Sequence, residues 1–142
     1  AGKRLVKSPK IFIRDAGLLH ALLGICILEA LLGHPVVGGS WEGHCIENLI
    51  SVAPRGTEAS FYRSAAGAEI DLVLKLPAGE IWALEIKRTT TPKVSRGFHT
   101  AAEELAAEKR LLVYGGDKDV PGPGGIRALP LGHALQMLSD LT

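Results

Sequence analysis

Three charged side chains stand out for where they fall in this sequence. Asp71 interrupts the apolar run Glu69–Leu76 (EIDLVLKL), and Glu85 and Lys87 interrupt Ile81–Arg88 (IWALEIKR). Ionised groups in segments this apolar are costly to bury unless they are paired or bound to a cation. Both segments alternate as strands do, and Pro77-Ala78-Gly79-Glu80 reads as the turn of a hairpin joining them. Glu85 and Lys87 are two apart and leave the same face of their strand. The register decides where Asp71 falls. If Leu76 pairs with Ile81 across a four-residue turn, paired residue numbers add to 157 and Asp71 meets Ile86 from the wrong face. A bulge or an odd-length turn changes that total by one and sets Asp71 against Glu85 or Lys87. A site here therefore predicts a one-residue irregularity in the hairpin, or a twist that brings the strand ends together.

A fourth candidate comes from helical angle. Ser40 is a suitable N-cap for a helix over Trp41–Ala53 that Pro54 ends. Trp41, Cys45, Leu49 and Val52 form its apolar stripe, and Glu42 falls within the apolar half, whereas Glu47 falls on the polar side with His44 and Ser51. Packed on the sheet beside the hairpin, this helix would bring Glu42 to Asp71 and Glu85. Three carboxylates and a lysine suit metal-assisted phosphodiester hydrolysis. Mg²⁺ or Mn²⁺ would be held by Glu42, Asp71 and Glu85 and would polarise a phosphoryl oxygen. Lys87 would orient the attacking water or stabilise charge developing on the phosphate.

The elements that must position these residues form one domain. At 142 residues the chain suits a single core, and 46% hydrophobic against 22% charged residues describes a globular fold, not a disordered segment. A net charge of +1 excludes a polybasic coat as the main binding device, and two cysteines exclude a disulfide framework or a four-cysteine zinc site. The longest stretch without Asp, Glu, Lys or Arg, residues 16–28, is 13 residues, short of a membrane span. With no secretory signal in view, a cytoplasmic setting with reduced thiols is expected.

Along the chain, Lys10–Arg14 reads as a strand and Asp15 as a helix cap. Gly17–Leu32 is apolar nearly all round, and Gly24 divides it into two shorter helices. A helix apolar on every side must be covered on every side, so this segment is expected to pack against a partner, a second copy or a further domain. Gly33–Gly39 reads as a loop and Glu58–Arg63 as a strand. After the hairpin come a helix over Ser95–Lys109, a strand over Leu111–Tyr114, a turn-rich loop over Gly115–Gly125, a last edge strand over Ile126–Leu129 and a helix over Leu131–Leu141. The expected fold is α/β (α+β): residues 1–36 an N-terminal strand and helical extension, and 37–142 a core of order α-β-β-β-α-β around a mixed four-stranded sheet flanked by helices.

The pattern Asp71, spacer, Glu85-Ile86-Lys87 resembles the PD-(D/E)XK nuclease superfamily. A closer resemblance is to domain-of-unknown-function family 4143, carried by KSPKIFIRDAGLLHALLGI (Lys7–Ile25), GGSWEGHCIENLI (Gly38–Ile50), FYRSAAGAEIDLVL (Phe61–Leu74) and ALEIKR (Ala83–Arg88). The resemblance implies a restriction-endonuclease-like core and a C-terminal position in an AAA-type ATPase. ATP would bind only in that ATPase domain, because no GxxxxGK[ST] occurs here. It carries the acidic positions onto Glu42, Asp71 and Glu85, the lysine onto Lys87, and an arginine onto Arg63. Ile70 stands before Asp71 in place of the family's proline.

Other residues are read more plainly. An isolated Glu-x-Lys is usually a solvent-facing pair, and only its company here points to a site. Glu69 shares the face of Asp71, as a second ligand or as an ion-pair partner of Arg63 or Arg88. Arg63, Arg88, Lys93 and Arg96 are the candidate contacts to nucleic acid, DNA favoured. His20 reads as a core residue and Cys26 and Cys45 as small buried apolar ones. Ser95 and His99 lack a nucleophile elbow. The leading reading is a nuclease-like domain. The alternative is an inactive module on the same fold that binds nucleic acid or protein.

Overall fold

The computed structural model describes residues 13–142. The expected strand at Lys10–Arg14 falls largely outside them, and Ile13 and Arg14 are not in a strand. Asp15 caps the first helix, α1 (Ala16–Leu22), its carboxylate accepting the Leu18 N–H at 2.8 Å. Gly24 adopts φ +68°, a left-handed conformation that glycine takes without strain. The chain re-forms only a short helix, α2 (Leu28–Leu32). The apolar segment is thus two helices, as Gly24 implies, but no residue of either is buried. Leu18, Leu22, Ile27, Leu28 and Leu32 are all more than half exposed.

The third helix, α3 (Val37–Val52), begins earlier than Ser40 predicts. Ser40 does not cap it. Its N–H continues the helix to the Val36 carbonyl at 2.8 Å, and its hydroxyl, buried, lies 2.7 Å from His20 Nε2. The side chain that would have capped the helix instead ties α3 to α1, so Gly38 and Gly39 are helical. The strands β1 (Glu58–Arg63), β2 (Glu69–Lys75) and β3 (Ile81–Lys87) follow as an antiparallel meander. Helix α4 (Arg96–Glu104), capped by Ser95, then crosses to β4 (Lys109–Tyr114), which runs parallel to β3. A short strand β5 (Val120–Pro121), a 3₁₀ turn at Pro123–Gly125, strand β6 (Ile126–Leu129) and helix α5 (Leu131–Ser139) complete the chain.

The sheet is mixed and six-stranded, in the order β1-β2-β3-β4-β6-β5. It exceeds the expected four strands because β6 pairs parallel to β4, and part of the turn-rich loop returns as β5 on the outside. Ile126–Leu129 is therefore an interior strand. One face packs under α3 and α5 through Cys45, Leu49, Leu74, Leu84, Leu129 and Leu138. The other packs under α4 through Ile70, Val73, Ala83, Phe98, Ala102 and Leu112. Among the described residues no helix is long and apolar enough to cross a membrane.

At the end of the sheet where β3 and β4 finish, the strands are held very close. Gly115 donates its N–H to the Thr89 carbonyl at 2.8 Å, and a Cβ on Gly115 would lie 2.3 Å from the Arg88 carbonyl oxygen. Backbone must move to admit any side chain there. Gly115→Ala is expected to lower stability by about 1–3 kcal/mol, read from the urea midpoint. An unchanged midpoint would mean that the two strand ends part freely.

Candidate acid–lysine site

The hairpin register is the first determinant of the site. Leu72 pairs with Leu84, Val73 with Ala83, Leu74 with Trp82 and Lys75 with Ile81, so paired numbers add to 156. The shift arises in the turn. Leu76 N–H donates to the Glu80 carbonyl and Gly79 N–H to the Leu76 carbonyl, both at 2.8 Å, leaving Pro77-Ala78-Gly79 as an odd-length turn with Gly79 at φ +98°. Continued one step, this register sets Asp71 opposite Glu85.

A second irregularity alters how Asp71 arrives. Against β1, Ser60 pairs with Val73 but Tyr62 pairs with Ile70, so Asp71 and Leu72 together oppose Phe61. This is the two-against-one count of a β-bulge. Ile70 and Val73 consequently both face α4, while Asp71 shares with Leu72 a small cleft beside Ile46 and Ile50 of α3. From there Asp71 Oδ2 accepts the Ile86 N–H at 2.9 Å, taking over where the β2–β3 pairing ends. Asp71 thus meets β3 at the seam between the strands, not side by side with Glu85 on one face.

Glu85 is 8% exposed, an unusual setting for a carboxylate. Its Oε1 lies 3.3 Å from Lys87 Nζ, and its Oε2 accepts the Ser95 N–H at 3.3 Å, at the cap of α4. Burial pushes its pKa up, Lys87 and the Ser95 N–H pull it back, and the charge of Asp71 adds to the upward push. Glu85 and Lys87 are thus paired, and Asp71 lies near enough for its charge to act on Glu85. Glu42 is half-buried on α3, where its charge reinforces the effect of burial on the Cys45 thiol, which is pushed up to about 12. Among the described residues no three His, Cys, Asp or Glu side chains are grouped to hold a metal ion, so Glu42, Asp71 and Glu85 do not form the expected three-carboxylate set. Glu47 pairs with Arg14 at 3.1 Å, on the polar side of α3 as expected.

Arg63, at the end of β1, sits directly across from Glu69 at the start of β2. Arg96 opens α4, whose next residue, Gly97, lies against Ala68 so closely that a Cβ would come within 3.2 Å of its Cα. Arg63, Arg88, Lys93 and Arg96 are all exposed, and the chain brings them to the same end of the sheet as Lys87. Two features had no sequence signal. One is the His20–Ser40 pair, twenty residues apart. The other joins Asp119 to Arg127 and to His133, the latter at 3.2 Å, tying β6 and α5 to the residue before β5. The hydrogen bond from His133, then that from Arg127, hold the Asp119 carboxyl below its usual range.

Fold and site define a mixed α+β domain with a buried glutamate paired to a half-exposed lysine where β3 leaves the sheet. A family model described as "Domain of unknown function (DUF4143)" matches residues 37–134, and the chain belongs to that family. The uncharacterized proteins Mb2031c of Mycobacterium bovis and Rv2008c of Mycobacterium tuberculosis are each 41% identical over 135 residues, covering 94% of this chain. The chain spans 30% of the length of these relatives. No solved structure matches.

Because the folded pKa of Glu85 lies above its unfolded value, its charge costs stability at neutral pH. That cost falls as pH drops through the folded pKa and is gone below the ordinary glutamate range. The stability of Glu85→Gln relative to the parent is expected to rise from pH 4 to pH 7, whatever its offset. Urea unfolding at both pH values measures this, and a flat or inverted difference would contradict the assigned burial cost.

Proposed function

We propose that this domain is a PD-(D/E)XK-like module that binds nucleic acid, DNA favoured, and hydrolyses phosphodiesters at Asp71, Glu85 and Lys87. The observation that supports the reading is a carboxylate buried beside a lysine at the end of β3, with the carboxylate of Asp71 reaching the same strand at the Ile86 N–H. Two neighbouring carboxylates, one of them buried, suit a hard divalent cation, since Mg²⁺ is commonly held by one or two carboxylates and keeps several waters. Asp71 and Glu85 would hold the ion, with Glu42 outside the set. When bound it would supply Lewis-acid polarisation of a phosphoryl oxygen. Lys87 would place its ammonium where charge develops on the phosphate, its stem aligned by Glu85. Arg63, Lys93 and Arg96 would bind backbone phosphates around this end of the sheet.

In this reading the module is one part of a longer polypeptide with an AAA-type ATPase domain, where ATP would bind. The exposed leucines of α1 and α2 would serve as its packing surface. A second reading, an inactive binding module, is favoured by one observation. Both oxygens of Glu85 already have protein partners, and Asp71 already holds the Ile86 N–H.

Nicking of supercoiled plasmid separates the two. Under the first reading it requires Mg²⁺ or Mn²⁺, and Asp71→Ala or Lys87→Ala lowers its rate by about 10²-fold or more, the scale of losing one transition-state contact. DNA retention that weakens with salt but shows no nicking with either metal would establish the second. Absence of both would remove nucleic acid from the function.

A further inference from the structure

A larger cavity, of about 480 Å³, lies on the α3 side of the same sheet end. It is bounded by α1, α2, the first turns of α3, Arg88 after β3 and Gly115 after β4. Because β3 and β4 are parallel, it sits at their carboxyl ends, the position at which open α/β sheets bind ligands. Its volume is in the range of small-molecule sites. The walls are apolar: Leu31, Leu32, Val37 and the indole of Trp41.

The polar lining is one-sided in charge. Arg88, His20, His44 and Ser40 contribute, and no carboxylate does. His20 and Ser40 satisfy each other and fix α1 against α3. Two groups remain unanswered among the described residues. The Trp41 Nε1 is buried with no hydrogen-bond partner, and Arg88 makes no ion pair. The other partnerless indole, Trp82, belongs instead to the packed core under Lys109. A largely apolar wall that includes Trp41, beside a guanidinium with no ion-pair partner among the described residues, suits a ligand with a ring and an anionic head.

We propose that this cavity binds an aromatic anion, its ring against Trp41 and its phosphate or carboxylate at Arg88. The site is separate from Asp71 and Glu85 and does not depend on their activity. The two head groups have different sources, a nucleotide or an aromatic acid, and the choice of probes distinguishes them.

Calorimetric titration of the folded chain with adenosine monophosphate and with naphthoate tests the assignment, with adenosine and inorganic phosphate as partial ligands. Saturable binding of at least one aromatic anion is expected, at least tenfold tighter than either partial ligand. It should quench tryptophan fluorescence and weaken at least tenfold in Arg88→Ala, an exposed position, with the circular dichroism of that variant unchanged. Trp41→Phe keeps a ring and should retain binding, whereas Trp41→Leu should lose it, provided circular dichroism shows the helices unchanged. Asp71→Ala, which slows nicking under the preceding reading, should bind normally. No saturation by either aromatic anion, equal affinity for phosphate alone, indifference to Arg88→Ala, or loss in Asp71→Ala would each overturn the proposal.

Discussion

A carboxylate withdrawn from water has to be answered by positive charge or by hydrogen-bond donors, and Glu85 imposes that demand on everything near the end of β3. Lys87 answers on the same strand. The Ser95 N–H answers from the start of α4, so the loop that follows β3 must return close enough to reach it. Asp71 adds a second negative charge nearby and makes the burial harder. Structural convenience alone would favour an apolar side chain here, since a buried ion pair seldom improves on well-packed hydrophobic residues. A charge held at such a position is the physical support for the site proposed at this end of the sheet.

The two faces of the sheet give the site its framework. Leu84 and Ile86 pack under α3 and α5, while Ala83 packs under α4, so β3 is clamped from both sides. Small residues allow the closest approaches: Gly97 against Ala68, and Gly115 against the Arg88 carbonyl. The first sets the start of α4, from which Ser95 reaches Glu85. The second sets the spacing of the β3 and β4 ends, and with it the position of Arg88. The acid–lysine site and the larger cavity therefore share one base, the closely spaced ends of β3 and β4.

Much of this was legible in the residues. Alternation located β2 and β3 to within a residue, and Glu58–Arg63 and Ile126–Leu129 were found at their full extent. Spacing identified the shared face of Glu85 and Lys87, and left a bulge, an odd-length turn or a strand twist as the ways to bring Asp71 to them; the turn is the one that sets the register. What was not legible depends on contacts distant in sequence. Ser40 has the chemistry of a cap, but His20 claims its hydroxyl and the helix runs past it. Helical angle put Glu42 toward the interior, yet angle says nothing of how far along the sheet a side chain lands. The bulge at Asp71 and Leu72 is set by pairing with β1, which the hairpin alone does not contain. Strand β5 is only two residues long, too short for any periodicity.

The odd-length turn at Pro77-Ala78-Gly79 has an evolutionary corollary. These three residues are exposed and touch nothing that does chemistry, so their identities are free to drift wherever the backbone tolerates them. Their number is not. Gain or loss of one codon would slide β2 against β3 by a step and part Asp71 from Glu85 without altering either. Selection on the acids would thus be felt as a ban on insertions and deletions at the far tip of the hairpin, six residues from the nearest of them along the chain.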